Sequence, residues 1–127
     1  MTLYGFLAVG MGAALGAWLR WAFGIVLNPL FSSILLGTLA ANLIGGFLIG
    51  VAVEYFVHHD SVPPELRLFV IVGFLGGLTT FSSFSSEAVE LLVDRELGWT
   101  FVLIAAHLIG SLLMTWLGIL SVRWAHV

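Results

Sequence analysis

Residues 21–53 carry no charged side chain, and neither do residues 1–19, 68–86 or 97–122. A helix needs about 20 apolar residues to cross the hydrocarbon core of a bilayer, so each of these stretches is long enough to span one. Composition makes lipid the required solvent. Of 127 residues 61% are hydrophobic and 9% charged, too few polar groups to cover a water-facing surface. The reading is an all-α integral membrane protein with four transmembrane helices in a single domain covering 1–127. A signal peptide is not expected, because no basic segment precedes the first apolar run and that run is too long.

Turn chemistry sets the limits of the spans. The first runs over 3–27 and stops at Asn28-Pro29, a pair that interrupts helices. The second covers 33–57 and ends before the polar run His58-His59-Asp60-Ser61. The third opens after Pro63-Pro64 and covers 65–93, with Pro64 near its first turn. The link from Asp94 to Gly98 leads to the fourth, 99–124. Links this short set neighbouring helices antiparallel.

Orientation in a membrane follows the Lys/Arg bias of short loops. There is no lysine, and the four arginines divide evenly: Arg67 and Arg123 toward the side of the termini, Arg20 and Arg95 toward the other. A chain without bias inserts both ways, which allows two oppositely inserted copies to pair antiparallel, a dual-topology homodimer. With no cysteine, disulfides and thiolate chemistry are excluded. A net charge of −3, scattered along the chain, gives no footprint for nucleic acid.

In lipid, close helix packing requires small residues. Gly12-xxx-Gly16 beside Ala13-xxx-Ala17, and Gly46-xxx-Gly50, mark contact faces. Polar groups at membrane depth are the candidates for function. Thr38, Asn42 and Gly46 share a face of the second helix. Thr38 can bond back to a helical carbonyl, whereas the amide of Asn42 has two donors and an acceptor to satisfy. Asn42 is either interhelical glue or a ligand donor. His107, Ser111 and Thr115 form a second stripe on the fourth helix, in which His107 is either a proton relay or a hydrogen-bonded structural histidine.

The third span is the most unusual. Gly73, Gly76 and Gly77 weaken its helix, and six hydroxyl residues then fall between Thr79 and Ser86, with Glu87 following. Such side chains compete with the helical ladder, so a break is expected near 79–82. Irregular backbone at this depth is tolerated only inside protein or along a wet cavity, where freed carbonyls can hold a cation and a new helix N-terminus can face an anion. Phe81 and Phe84 stand among the hydroxyls. They are either packing residues or rings whose positive edges meet an anion. No nucleophile–base pair and no phosphate loop occur, so enzymatic chemistry finds no support. His58-His59-Asp60 could bind a metal but reads first as a solvated loop. An uncharged ion-conducting pore accounts for the polar pattern.

The stretch Gly37-Thr38-Leu39-Ala40-Ala41-Asn42 and the stretch from Gly73 to Ser85 closely resemble the Fluc (CrcB-type) fluoride channels. Gly16 to Arg20 and His107, Gly110, Ser111, Met114 and Thr115 support the resemblance, which extends over the whole chain. It implies a dual-topology antiparallel homodimer in a bacterial inner membrane, with fluoride as the transported ion and two pores. It places Asn42 on the fluoride pathway together with Phe81 and Phe84, the family's phenylalanine box. Ser111 and Thr115 follow as the polar track, Thr38 belongs to the pathway as well, and Ser82, Ser83, Glu87 and His107 lie near it. Arg20 matches the family's vestibule arginine. The carbonyls of Gly76 and Thr79 from each subunit would hold a structural sodium ion (Na+) on the twofold axis. Ser83 departs from the family's usual threonine, and His107 stands where relatives have Tyr or His. The rival four-helix dual-topology class, the small multidrug exporters, needs a carboxylate deep in the first helix. Here the only ion in that helix is Arg20. A non-transporting assembly protein would explain the glycines but not the polar stripes.

Overall fold

A computed structural model describes residues 1–126. It is all-helical, and four stretches are long and apolar enough to cross a membrane: Leu3–Leu30, Leu36–Val57, Pro64–Val93 and Leu97–Ala125. Helix α1 (Leu3–Leu27) begins where the Thr2 hydroxyl accepts the Gly5 N–H at 3.0 Å, a hydroxyl N-cap. A short 3₁₀ turn, Asn28–Leu30, follows. The Asn28 side-chain oxygen then accepts the Gly37 N–H at 2.8 Å, satisfying an amide that the start of the next helix leaves open.

Helix α2 (Leu36–Val57) starts three residues later than the turn residues predict. Leu35 is extended at its N-cap, and its N–H is bound at 2.8 Å by the Glu87 carboxylate. Helix α3 covers 64–78 in three parts, an opening turn Pro64–Arg67, a π-helical stretch Leu68–Leu75 and a final turn Gly76–Leu78. The π-helix has no counterpart in the sequence reading. Helix α4 is Phe81–Val93 and α5 is Leu97–Ala125, two residues longer at its start than predicted. That early start follows from a tight closure of α4. Arg95 takes a left-handed φ of 59°, the Glu96 N–H reaches the Leu91 carbonyl at 2.8 Å, and the Arg95 N–H reaches Leu92 at 3.1 Å. This is the Schellman pattern, here built on an arginine where glycine is usual, so no residue type announced it.

The small-residue faces bring two pairs of helices together. Gly12 and Gly16 of α1 lie on Gly73, Phe74 and Leu78 of α3, and Gly77 lies on the Ala13 carbonyl. Gly46 and Gly50 of α2 lie on Ser111 and Thr115 of α5, and Gly118 returns the contact on the Phe47 carbonyl. Most large side chains on the outer faces, Leu3, Trp18, Trp21, Trp116 and Trp124 among them, are exposed, as expected where lipid is the solvent. At one end of the bundle Arg123 pairs with Glu54 at 3.0 Å and Arg67 donates to the His59 carbonyl at 2.9 Å.

A Cβ on Gly50 would run into the Thr115 carbonyl and stand 3.0 Å from the Ile119 nitrogen, whereas one on Gly98 would meet nothing within 4 Å. Gly50→Ala is therefore expected to lower stability by about 1–3 kcal/mol through overpacking. Gly98→Ala should be neutral or raise it by up to about 1 kcal/mol through helix propensity. Thermal unfolding of the detergent-solubilised variants compares them, and equal melting temperatures would refute the close-packed α2–α5 contact.

Candidate functional site

The helical backbone stops at Leu78 and resumes at Phe81. Between them Thr79 and Thr80 are extended, with ψ of 154° and 122°. Local hydroxyl chemistry shapes both ends of this gap. The Thr79 N–H and hydroxyl both donate to the Leu75 carbonyl, at 3.0 and 2.8 Å. The Thr80 hydroxyl caps α4 by accepting the Ser83 N–H at 3.1 Å and lies 3.2 Å from the Ser82 hydroxyl. Local groups leave the backbone of Thr80 without partners, and an unpaired N–H or C=O is costly away from water. Asn42 of α2 supplies both. Its side-chain oxygen accepts the Thr80 N–H at 2.8 Å and its amide nitrogen donates to the Thr80 carbonyl at 2.9 Å. From α1, Arg20 donates to the Gly77 carbonyl at 3.1 Å.

A cavity of about 410 Å³ opens against this gap, walled by Asn42, Thr79, Thr80, Phe81, Phe84, His107 and Ser111, with the Gly45 and Gly46 backbone on the α2 side. No charged side chain lines it. Gly45 is required there, since a Cβ would collide with the Thr79 methyl group. Phe81 and Phe84 meet edge to face, with centroids 5.5 Å apart and planes at 71°. Phe84 stacks on the His107 ring at 4.7 Å. Phe81 is 78% exposed, so this wall is open on its outer side. His107 is 4% exposed, its Nδ1 lies 3.0 Å from the Asn42 amide nitrogen, and its Nε2 is buried with no hydrogen-bond partner among the described residues.

Other predicted site residues stand apart from this cavity. Ser82, Ser83 and Glu87 line a second groove of about 290 Å³ with Leu35, Ser86 and Glu90. Glu87 is 6% exposed; one carboxylate oxygen holds the Leu35 N–H and the other has no partner among the described residues. Thr115 sits under Gly46, its hydroxyl 3.4 Å from where a Cβ would be. Thr38 is half-buried on α2 and lines neither hollow. In the 58–60 loop His58 bonds Glu54 at 3.2 Å and His59 the Tyr55 carbonyl at 2.8 Å. Among the described residues no three His, Cys, Asp or Glu side chains form a metal-holding group.

The profile of the family described as CrcB-like protein, Camphor Resistance (CrcB), matches residues 7–119. The chain belongs to the CrcB-like family. Its relatives include a protein of Nitrosospira multiformis named fluoride-specific ion channel FluC, 64% identical over 98% of this chain and 97% of that one. Proteins of the same name from Pseudomonas aeruginosa and Ralstonia pickettii are 57% and 58% identical, over 93% of each chain and over 97% and 98% respectively. With four spanning helices, this CrcB-like chain is a multi-pass inner-membrane protein of a channel family, and not an enzyme.

The carbonyls at the gap of this CrcB-like chain divide into two sets. Leu75 is taken by Thr79 and Gly77 by Arg20, whereas no hydrogen bond among the described residues reaches the Gly76 or Thr79 carbonyl. Thr80, Gly45 and Leu35 were not singled out by sequence. Thr80 carried a signal, a hydroxyl three residues before Ser83 at a helix start. The pairings of Thr80 with Asn42 and of Leu35 with Glu87 carried none.

Proposed function

We propose that this protein is a fluoride-selective passive anion channel that exports fluoride from the cytoplasm, working as an antiparallel, dual-topology homodimer with two pores. The observation that carries the reading is the uncharged cavity at the gap in the third span, where an amide, an imidazole, a serine hydroxyl and two phenylalanine rings meet. The CrcB-like relatives, named as fluoride-specific channels, support it.

Fluoride enters an acidified cell as the neutral weak acid HF and ionises inside. A passive pore then lets the anion leave, driven by an inside-negative potential worth about 2.3 kcal/mol per charge per 100 mV. Fluoride's dehydration is costly and must be offset by close donors, which a narrow polar path provides and a wide one does not. Asn42, Phe81, Phe84, His107 and Ser111 wall that path in this reading, with Thr38 and Thr115 continuing the track along α2 and α5. Ser82, Ser83 and Glu87 form a separate approach on α4, and Arg20 lies at the vestibule. Ring edges and neutral donors attract an anion without the strong hold of a full charge, which lets it leave again.

The gap in the third span is read as a break in a transmembrane helix. The exposed Phe81 face is read as the surface that a second, inverted copy covers. The unpaired Gly76 and Thr79 carbonyls fit a structural sodium ion on the twofold axis, hard oxygen donors suiting a hard cation. When bound, the ion would offset the repulsion between the facing carbonyl dipoles and hold the two subunits together.

Purified protein in fluoride-loaded liposomes is expected to release fluoride rapidly, as followed with a fluoride electrode, while chloride-loaded vesicles stay tight. Release no faster than from empty vesicles would refute the channel. A crystal structure without density on the twofold axis near Thr79 would count against the sodium ion.

A further inference from the structure

The orientation of the Asn42 amide is settled by a backbone, not by a side chain. A peptide N–H can only donate and a peptide carbonyl can only accept, so the atom 2.8 Å from the Thr80 nitrogen is the amide oxygen. The atom 2.9 Å from the Thr80 oxygen is then the amide nitrogen. That NH2 group has a second hydrogen, and His107 Nδ1 lies 3.0 Å away. An amide nitrogen accepts nothing, so Nδ1 is the acceptor. A neutral imidazole whose Nδ1 accepts carries its hydrogen on Nε2. The ring is also held in place by stacking on Phe84 at 4.7 Å. The Nε2–H is thus an uncharged donor with no partner among the described residues, itself closed to solvent and belonging to a residue that lines the cavity. A buried donor left unpaired calls for a ligand or another explanation. Asn42, by contrast, has placed both amide hydrogens and its oxygen on Thr80 and His107.

We propose that Asn42 is a positioning residue: by occupying His107 Nδ1 it holds the imidazole in its Nε2–H form and so presents an uncharged N–H donor to an anion in the cavity. This rests on the anion-channel reading for the identity of the ligand, but not for the tautomer. The donor serves a small, strongly accepting anion such as fluoride. The amide contributes through His107 and through the Thr80 backbone.

The test is nitrogen NMR of protein with 15N-labelled histidine, in bilayers at neutral pH, with His107 assigned by the signals missing from His107→Gln. The wild type is expected to show Nδ1 bare and Nε2 protonated. Asn42→Asp puts an acceptor opposite Nδ1 and is expected to reverse the pattern. Adding fluoride should move the wild-type Nε2 resonance, and adding chloride should not. In flux, His107→Leu should lose about tenfold or more, while His107→Gln, which keeps an N–H donor, should retain most of the rate. A wild-type ring protonated on Nδ1, a pattern unchanged in a folded Asn42→Asp protein, or an unmoved Nε2 resonance in vesicles that do conduct fluoride would each overturn the proposal. Should Asn42→Asp fail to fold, the wild-type spectra with and without fluoride decide it. Vesicles that conduct no fluoride would refute the channel reading instead, leaving the nitrogen pattern to judge the tautomer alone.

Discussion

Fluoride flux through Phe84→Ile is expected to fall by about tenfold or more, with Phe81→Ile following the same course, while both proteins still fold and assemble. Tenfold corresponds to about 1.4 kcal/mol, within the range by which aromatic geometry contributes beyond buried area. Isoleucine keeps the apolar bulk but has no ring edge for an anion. Phe84 is the more constrained of the two, lying between Phe81 at 5.5 Å and His107 at 4.7 Å. Its loss also frees the imidazole. Flux measured in liposomes, beside size-exclusion profiles of the same samples, separates the roles. Unchanged flux in both variants would reduce the rings to packing.

Asn42→Ala is expected to be among the most damaging single changes to the fold. It strips the Thr80 N–H and carbonyl of their partners at once. Both bonds are only half-buried and border the open cavity, so the relevant loss is the net worth of two hydrogen bonds, about 1–3 kcal/mol together, still a sizeable part of a typical domain's stability. The stretch between Leu78 and Phe81 would then gain most by reverting toward helix, closing the cavity that the extended residues line. Thermal unfolding in detergent should register the loss, and flux should vanish with it. An Asn42→Ala protein as stable as the wild type would show that Thr80 does not depend on this amide.

Much of the architecture was legible because it is one-dimensional. Charge-free runs of sufficient length, punctuated by Asn28-Pro29, Pro63-Pro64 and the 94–98 link, locate the spanning helices. Gly46 and Gly50 announce a contact face by spacing alone. Boundaries were less legible: α2 begins at Leu36, after an extended Leu35 whose N–H is held by the distant Glu87. The closure of α4 on Arg95 at a left-handed φ carried no glycine to mark it. The π-helical stretch Leu68–Leu75 likewise has no local signature.

For the site, sequence picked out individual side chains but not their company. Asn42 was legible as an amide in need of partners, and His107 as a polar group on an apolar helix. Their meeting depends on Thr80 and His107 lying 38 and 65 positions from Asn42. Ser82, Ser83 and Glu87 look inseparable from Phe81 and Phe84 in sequence, yet the helical rotation of α4 sends them to a different groove.

The sequence by itself determined that this chain lives in a bilayer, how many times it can cross and which stretch resists regular helix. The thickness of the bilayer and the preferences of Gly, Pro, Ser and Thr act along a single strand. Only the tertiary structure decided that Thr79 and Thr80 are the extended pair, that Asn42 supports Thr80, and that the His107 Nε2 is buried without a partner among the described residues. Hydrogen-bond partners are chosen by distance across packed helices, and that distance is set by glycine contacts made elsewhere.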